Sequence, residues 1–154
     1  FSGMAHMMRQ FGQAGADGLV LFNRFYKPDI DIENMRLKAA HVYSSPEEMA
    51  FTLQWIAILA GKVKADLAAT TGIHSGADII KQILAGAHAV EICSAYMKNG
   101  INTIQTHLKE VEEWMQRKGY ERLVDIRGLL SQEAVDHPEA YERSQYIKAL
   151  VGIE

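Results

Sequence analysis

The sequence is short of several features that would point to specialised classes of protein. Its one cysteine, Cys93, allows no internal disulfide and no multi-cysteine zinc site, which is typical of a reducing compartment. The 16 lysines and arginines are balanced by 19 aspartates and glutamates, so the net charge of −3 offers no general field for nucleic acid or anionic lipid. Charges interrupt every apolar stretch well before bilayer length. We therefore expect a cytoplasmic globular protein that binds neither nucleic acid nor membrane.

The sequence does contain an alternation of short strand-like runs and longer amphipathic patterns. Apolar runs begin at Gly18, Asp66 and Ala89, and each is followed by a segment with helical spacing. Short, continuously apolar runs are typical of strands that are buried on both faces of a parallel sheet. The polar segment 24–44 is long for a connection and could hold an inserted hairpin. The predicted class is therefore α/β with parallel strands.

Two helix starts carry specific capping signals. The segment 45–48, Ser-Pro-Glu-Glu, combines a cap, a first-turn proline and a glutamate at capping-box spacing. Ser75 stands three residues before Asp78 at the start of a second helix. A further helix is predicted to carry the apolar residues from Ile101 to Met115 at three-to-four spacing. Each of these helices follows a predicted strand.

Three parallel strands are too few for a complete sheet of this kind, because the edges would stay unpaired and the faces incompletely covered. Eight-stranded barrels of this repeat need about 250 residues. The chain also begins Phe-Ser-Gly, without an initiator methionine. We therefore expect residues 1–154 to be one partial domain, the C-terminal half of a (β/α)8 TIM barrel, completed by self-association as a homodimer. A flavodoxin-like fold is the alternative, although it needs five strands.

Two segments at the C-terminal ends of predicted strands have residues suited to binding an anion. One is 70–76, Thr-Thr-Gly-Ile-His-Ser-Gly, and the other is 93–95, Cys-Ser-Ala. In barrels, the loops after the last two strands often form a phosphate site from backbone amides and a helix N-terminus. Gly72 allows close approach of the backbone, and Thr71 and Ser94 supply hydroxyl donors. The alternative interpretation is that both segments are ordinary strand–helix turns. Because Cys93 falls within the apolar run, we expect its side chain to be a small buried hydrophobe.

The same loops resemble the end of the dihydroorotate dehydrogenases, FMN-dependent barrel enzymes of pyrimidine synthesis. The resemblance rests on the glycine loop and Ser-Gly-x-Asp helix start in 72–78, followed by the Leu-x-Gly-Ala turn and second loop in 84–95. The run 19–23 resembles that family's sixth strand, which ends in a substrate-binding asparagine, and 125–128 resembles its closing segment. The similar region covers about 1–128, from the family's fifth to its eighth helix, with a C-terminal tail beyond it.

The resemblance implies roles for particular residues. The family usually has Gly-Gly at the position of Thr71 and Gly72, Gly-Thr or Gly-Ser in the second loop, and Ser or Thr where this chain has Arg24. An arginine there could clamp a carboxylate bidentately, or it could indicate a substrate other than dihydroorotate. The implied FMN-binding residues are Thr71, Gly72, Ile73, Cys93, Ser94 and Ala95, and the implied contacts to a small-molecule substrate are Asn23 and Arg24.

The function implied by the resemblance is an FMN-dependent oxidoreductase that converts dihydroorotate to orotate. In that family, the proton-accepting Cys or Ser and a flavin-contacting lysine lie on earlier segments, so we expect no catalytic residue here and no activity of this chain alone. Two other functions stay open. One is a phosphate-binding barrel enzyme with different chemistry, such as a phosphosugar isomerase, and the other is a non-catalytic half-barrel that serves assembly. The six histidines show no spacing typical of a metal site.

Overall fold

A computed structural model of the chain describes residues 3–25, 27–40 and 42–142. A short 3-10 turn, Pro46–Glu48, leads directly into the second helix. The strands are β1 Gly18–Leu21, β2 Pro28–Asp31, β3 Arg36–Ala39, β4 Asp66–Thr70 and β5 Ala89–Glu91. The helices are α1 Met4–Gln13, α2 Met49–Leu59, α3 Gly76–Ala85, α4 Ser94–Asn99, α5 Thr103–Lys118, α6 Leu123–Ile126 and α7 Glu139–Glu142.

Three parallel strands form the central sheet, in the order β1–β4–β5. Val20 pairs with Ala68, and Ala68 pairs with Ala89, so these three residues share one face of the sheet. The prediction of an α/β class with parallel strands is confirmed. The first and last of these strands end earlier than predicted, at Leu21 and Glu91, because the chain turns there into the loops described below.

One face of the sheet is covered by α2 and α3. Leu67 is 2% exposed, and Leu21 and Ala69 are buried still more completely. They share one apolar core with Ile56 of α2 and Ile83 of α3. This core positions the C-terminal ends of the strands, where the predicted functional loops begin.

The opposite face of the sheet is open to solvent. Val20 is 54% exposed, and Ala89 and Glu91 are exposed as well. Ala68 and Thr70 on the same face are only partly buried. The described residues therefore bury the sheet on one side, whereas the sequence pattern is that of strands covered on both sides.

The long connection between β1 and α2 contains a hairpin, as its length suggested. Strands β2 and β3 pair in antiparallel register, with Ile30 opposite Leu37. Both of these side chains are exposed. The neighbouring pair is charged, and Lys38 Nζ lies 3.3 Å from Asp29 Oδ2.

Both capping signals are confirmed. Ser45 and Glu48 form a capping box ahead of α2. At the start of α3, the Asp78 amide N–H donates to Ser75 Oγ at 3.2 Å. These caps define where α2 and α3 begin, near the C-terminal ends of the strands.

Two sequence predictions about the region after β5 are wrong. Cys93 is exposed and stands at the N-terminal cap of α4, because β5 ends two residues before it. The helix predicted to start near Ile101 begins at Thr103, since Gly100 with φ +87° separates it from α4. Ile101 itself is 67% exposed.

Within the described ranges, none of the helices has both the length and the apolar character needed to cross a bilayer. In the same ranges, no group of three or more His, Cys, Asp or Glu side chains is arranged to hold a metal ion. The last residues of the C-terminal tail, 143–154, lie outside the described part of the chain.

Candidate functional site

The C-terminal ends of the three parallel strands surround a cavity of about 370 Å³, a size within the usual range for small-molecule sites. Three separate loops contribute the functional residues predicted from the sequence. The eighth predicted residue, Ala95, is fully buried in α4 and does not line the cavity. The seven that do line it are Asn23 and Arg24 after β1, Thr71, Gly72 and Ile73 after β4, and Cys93 and Ser94 after β5.

Ser44, which was not predicted from the sequence, closes one side of the cavity. Its backbone N–H donates to Ser94 Oγ at 3.0 Å, and its own hydroxyl lies 3.2 Å from His74 Nε2. Ser44 is 4% exposed, although it belongs to the segment that returns from the hairpin. Fifty residues separate Ser44 from Ser94, so no local pattern could have linked them. Three other lining residues were also missed: Phe25, Val42 and Glu91.

The turn after β4 has two consecutive residues in the left-handed region, Thr71 and Gly72, each with φ +77°. A Cβ on Gly72 would lie 2.3 Å from the backbone nitrogen of Met49, so only glycine fits there. A β-branched residue rarely adopts this conformation, yet Thr71 does so. Its Oγ1 donates to the Phe22 carbonyl at 2.9 Å and thereby ties the turn to the end of β1. The wall of the cavity is thus held in a defined and partly strained shape.

The first amide of α3 is already occupied by a carboxylate of the protein. The N–H of Gly76 donates to Glu110 Oε2 at 2.6 Å, across the contact between α3 and α5. No local pattern relates Glu110 to Gly76, since 34 residues separate them. An anion at this helix start would have to compete with a negative charge that is already in place.

A second carboxylate, Asp78, occupies the loop that leads into α3. Burial raises the pKa of Asp78, but hydrogen bonds from the Ser75 hydroxyl, the His74 amide and Lys81 outweigh burial and hold that pKa below its ordinary value. The two bonds to Oδ2 measure 2.8 Å from Ser75 Oγ and 3.2 Å from the His74 nitrogen. The position that suits an anion is therefore the beginning of the loop, at 71–73, together with Ser94.

Arg24 is held by a carboxylate of the chain itself. Its Nε and Nη2 donate to the two oxygens of Glu48 at 3.0 and 3.2 Å, in a bidentate arrangement. Its Nη1 donates to the Val42 carbonyl at 3.1 Å. The hydrogen bond from Arg24 is the largest of the effects that hold the pKa of Glu48 below its ordinary value. Lys27 Nζ lies 3.6 Å from the same carboxylate, so Glu48 faces two cations.

A second cavity, of about 380 Å³, lies against the same ion pair. Its apolar lining includes Phe22 and Phe51, whose ring centroids are 5.3 Å apart. Four residues line both cavities and form the shared wall: Asn23, Arg24, Phe25 and Thr71. The structure thus places the two residues predicted to contact a substrate between a polar and a more apolar cavity.

Curated relatives of the chain include members of one enzyme family. The chain is 30% identical over 121 residues to the dihydroorotate dehydrogenase B (NAD(+)) catalytic subunit of Petrotoga mobilis. The aligned region covers 77% of this chain and 40% of that protein. It is 34% identical over 106 residues to the dihydroorotate dehydrogenase A (fumarate) of Lacticaseibacillus paracasei, covering 66% and 36%. The chain is dihydroorotate dehydrogenase-like. The resemblance noted in the loop motifs is therefore confirmed. No protein-family model matches the chain.

Solved structures agree on the fold. The crystal structure of DHODH from Eimeria tenella in complex with ferulenol superposes with a TM-score of 0.68 at 20% identity, covering 83% of this chain and 34% of that one. The ligand-free DHODH of the same organism gives a TM-score of 0.65 at 21% identity. At these identities the likeness shows the fold alone. The chain spans 20–40% of the length of the curated relatives that it matches.

Proposed function

We propose that this chain carries the FMN-phosphate end and one substrate-facing wall of a dihydroorotate dehydrogenase-like oxidoreductase that acts on dihydroorotate or a related small molecule. The observation that carries the proposal is the meeting of seven predicted residues from three loops at one cavity of about 370 Å³. The cavity lies at the carboxyl ends of parallel strands, where α/β enzymes bind their ligands. The names of the relatives support this class of enzyme.

The residues around the cavity suit the phosphate end of FMN. Ser94 Oγ accepts a hydrogen bond from Ser44, and its own O–H can still donate to a phosphate oxygen. The backbone at 71–73 lies in the same wall, where Thr71 and Gly72 adopt the left-handed conformation. We assign the phosphate to these two elements and the substrate contact to Asn23. When bound, FMN would supply the redox chemistry as the hydride acceptor.

We further propose that the chain alone does not turn over dihydroorotate. The reaction needs a base that removes a proton from the substrate, and the resembling family carries this base on an earlier segment. Cys93 lines the cavity, but we assign it to cofactor contact and not to proton transfer. Orotate formation in the presence of FMN and an artificial electron acceptor measures this directly, and steady turnover by the isolated chain would contradict the assignment.

The decisive experiment is a titration of the chain with FMN and, separately, with riboflavin, which lacks the phosphate. We expect quenching of flavin fluorescence on binding, with FMN bound at least about tenfold more tightly, since hydrogen bonds to a charged group are worth about 1.5–3 kcal/mol. Ser94→Ala should weaken FMN binding and leave riboflavin binding unchanged. Thr106→Ala, on the exposed side of α5, is the matched control and should change neither.

Two outcomes would contradict the proposal. Equal affinity for FMN and riboflavin would show that the cavity does not recognise the phosphate. Failure to bind FMN, combined with tight binding of a sugar phosphate, would favour a phosphate-binding barrel enzyme of different chemistry.

We also propose that the chain is a partial barrel whose open sheet face is covered by a second copy of the chain in a homodimer. The observation that favours this is the exposed face of Val20, Ala89 and Glu91, on strands with a sequence pattern typical of double-sided burial. Light scattering coupled to gel filtration should give the mass of a dimer. Val20→Glu should yield a monomer, whereas Leu108→Glu, at a residue of similar exposure on α5, should not. A monomeric wild-type chain would contradict the proposal.

A further inference from the structure

All three nitrogens of the Arg24 guanidinium donate to groups of the chain itself. Glu48 takes the Nε and Nη2 edge at 3.0 and 3.2 Å, and the Val42 carbonyl takes Nη1 at 3.1 Å. The side chains of Arg24 and Glu48 are each only 19% exposed. A bidentate arginine–carboxylate pair is the geometry with which proteins bind a carboxylate ligand, and here the carboxylate belongs to the protein.

The charges around both cavities are balanced. Among the described residues that line the second cavity, the charged side chains are Arg24, Lys27, Glu47 and Glu48, two of each sign. In the first cavity they are Arg24 and Glu91, one of each sign. Neither lining therefore presents a net positive charge that would draw a carboxylate into the cavity.

We propose that Glu48 determines the substrate class of the site: it fills the carboxylate seat formed by Arg24 and so selects a substrate that is uncharged at the edge facing Arg24. This inference rests on the proposed function, because it concerns the substrate wall of the same site. A substrate carboxylate could take the Nε and Nη2 edge of Arg24 only by displacing Glu48. That exchange replaces one bidentate pair with another and leaves the partly buried Glu48 carboxylate without its arginine, so it brings no net gain.

Orotate and uracil test this assignment, because they share one ring and differ only in the carboxylate. Binding of each is measured by equilibrium dialysis. The wild-type chain should bind orotate no more tightly than uracil. Glu48→Ala empties the seat beside Arg24 and should make orotate bind at least about tenfold more tightly than uracil, the size expected for a charge-assisted pair. The double substitution R24A/E48A should abolish that gain.

Two further variants separate the seat from general effects. Glu47→Ala removes one negative charge from the same cavity lining without emptying the seat, so it should raise the ratio of orotate to uracil affinity by a much smaller factor than Glu48→Ala does. Because Glu48 also closes the capping box of α2, Glu48→Ala could unfold the helix start. Glu48→Gln keeps a capping-box side chain and removes the charge. It should shift the ratio in the same direction by a smaller factor.

A wild-type preference for orotate of tenfold or more would overturn the inference, and so would Glu48 variants that fold, as judged by circular dichroism, but gain no orotate binding. The absence of orotate binding in every variant counts against it in the same way. The FMN titration on the same preparations tests the proposed function independently. Tight FMN binding without the orotate gain would leave the flavin assignment standing and remove only the role given to Glu48.

Discussion

Along β1, adjacent residues lie in opposite environments: Leu21 is 1% exposed in the core beside α2, whereas Val20 is 54% exposed on the other face. The covered face is a finished core of large side chains. The open face has small or charged residues, Ala68, Ala89 and Glu91. The described residues therefore separate two tasks. The covered face stabilises the fold. The C-terminal ends of the strands carry the cavity, and the open face is the surface on which we expect a second copy of the chain.

The largest effect should come from truncating Leu21 on β1, with its neighbour Val20 as the comparison. Leu21→Ala should lower the free energy of unfolding by about 2–5 kcal/mol, because it leaves a cavity in a closed core. Val20→Ala should change it by less than about 0.5 kcal/mol in the monomer, because the side chain is already in water. Urea denaturation followed by circular dichroism at low protein concentration measures both values. Losses of similar size would show that Val20 is covered and that the two faces are equivalent.

A second comparison concerns how tightly the loops at the C-terminal ends of the strands are packed. Gly72 and Gly100 both have positive φ, but a Cβ at Gly72 would meet the Met49 backbone at 2.3 Å, whereas nothing lies within 4 Å at Gly100. Gly72→Ala should therefore lower the free energy of unfolding by about 3 kcal/mol or more, because it adds left-handed strain and overpacking. Gly100→Ala should lose only the strain, about 1–2 kcal/mol. Equal losses in urea denaturation would mean that the cavity wall is not packed tightly against α2.

Asp78, at the start of α3, makes the free energy of unfolding depend on pH. Its folded pKa lies below the ordinary value of 3.8, so the stability it supplies is present above pH 3.8 and is lost as the pH falls through the lowered folded value. Asp78→Asn should cost about 1–3 kcal/mol at pH 7. The difference from wild type should shrink between pH 4 and pH 2. A difference that stays constant over this range of unfolding measurements would contradict the assignment of an ionised carboxylate.

Much of this arrangement could be predicted from the sequence, because the signals are local. The capping signals at Ser45 and Ser75 predict helices that begin within the next few residues. Short apolar runs predict the strand starts at Gly18, Asp66 and Ala89. The shared position of the loops follows from parallel pairing, since the carboxyl ends of neighbouring parallel strands meet at one edge.

The remainder depends on contacts between distant segments. Ser44 reaches Ser94 across 50 residues, and Glu48 reaches Arg24 across 24. No spacing rule relates such pairs. Cys93 was predicted to be buried from its apolar neighbours, but where a strand ends is decided by the loop that follows, and that loop turns Cys93 outward. Sequence therefore predicts which segments meet at the site better than it predicts which partner each side chain finds there.

The smallest expected effect concerns Thr71. Two substitutions there distinguish the strain in its backbone from the hydrogen bond that its hydroxyl makes. Thr71→Val keeps the β-branched side chain at φ +77° and removes the hydrogen bond to the Phe22 carbonyl, so it should lose about 1 kcal/mol. Thr71→Gly loses the same bond and some chain entropy, but it also releases about 1–2 kcal/mol of left-handed strain. The glycine variant should therefore stay within about 0.5 kcal/mol of wild type in urea denaturation. A glycine variant less stable than the valine variant would show that Thr71 is not strained, and the open edge would then be as relaxed as the covered core.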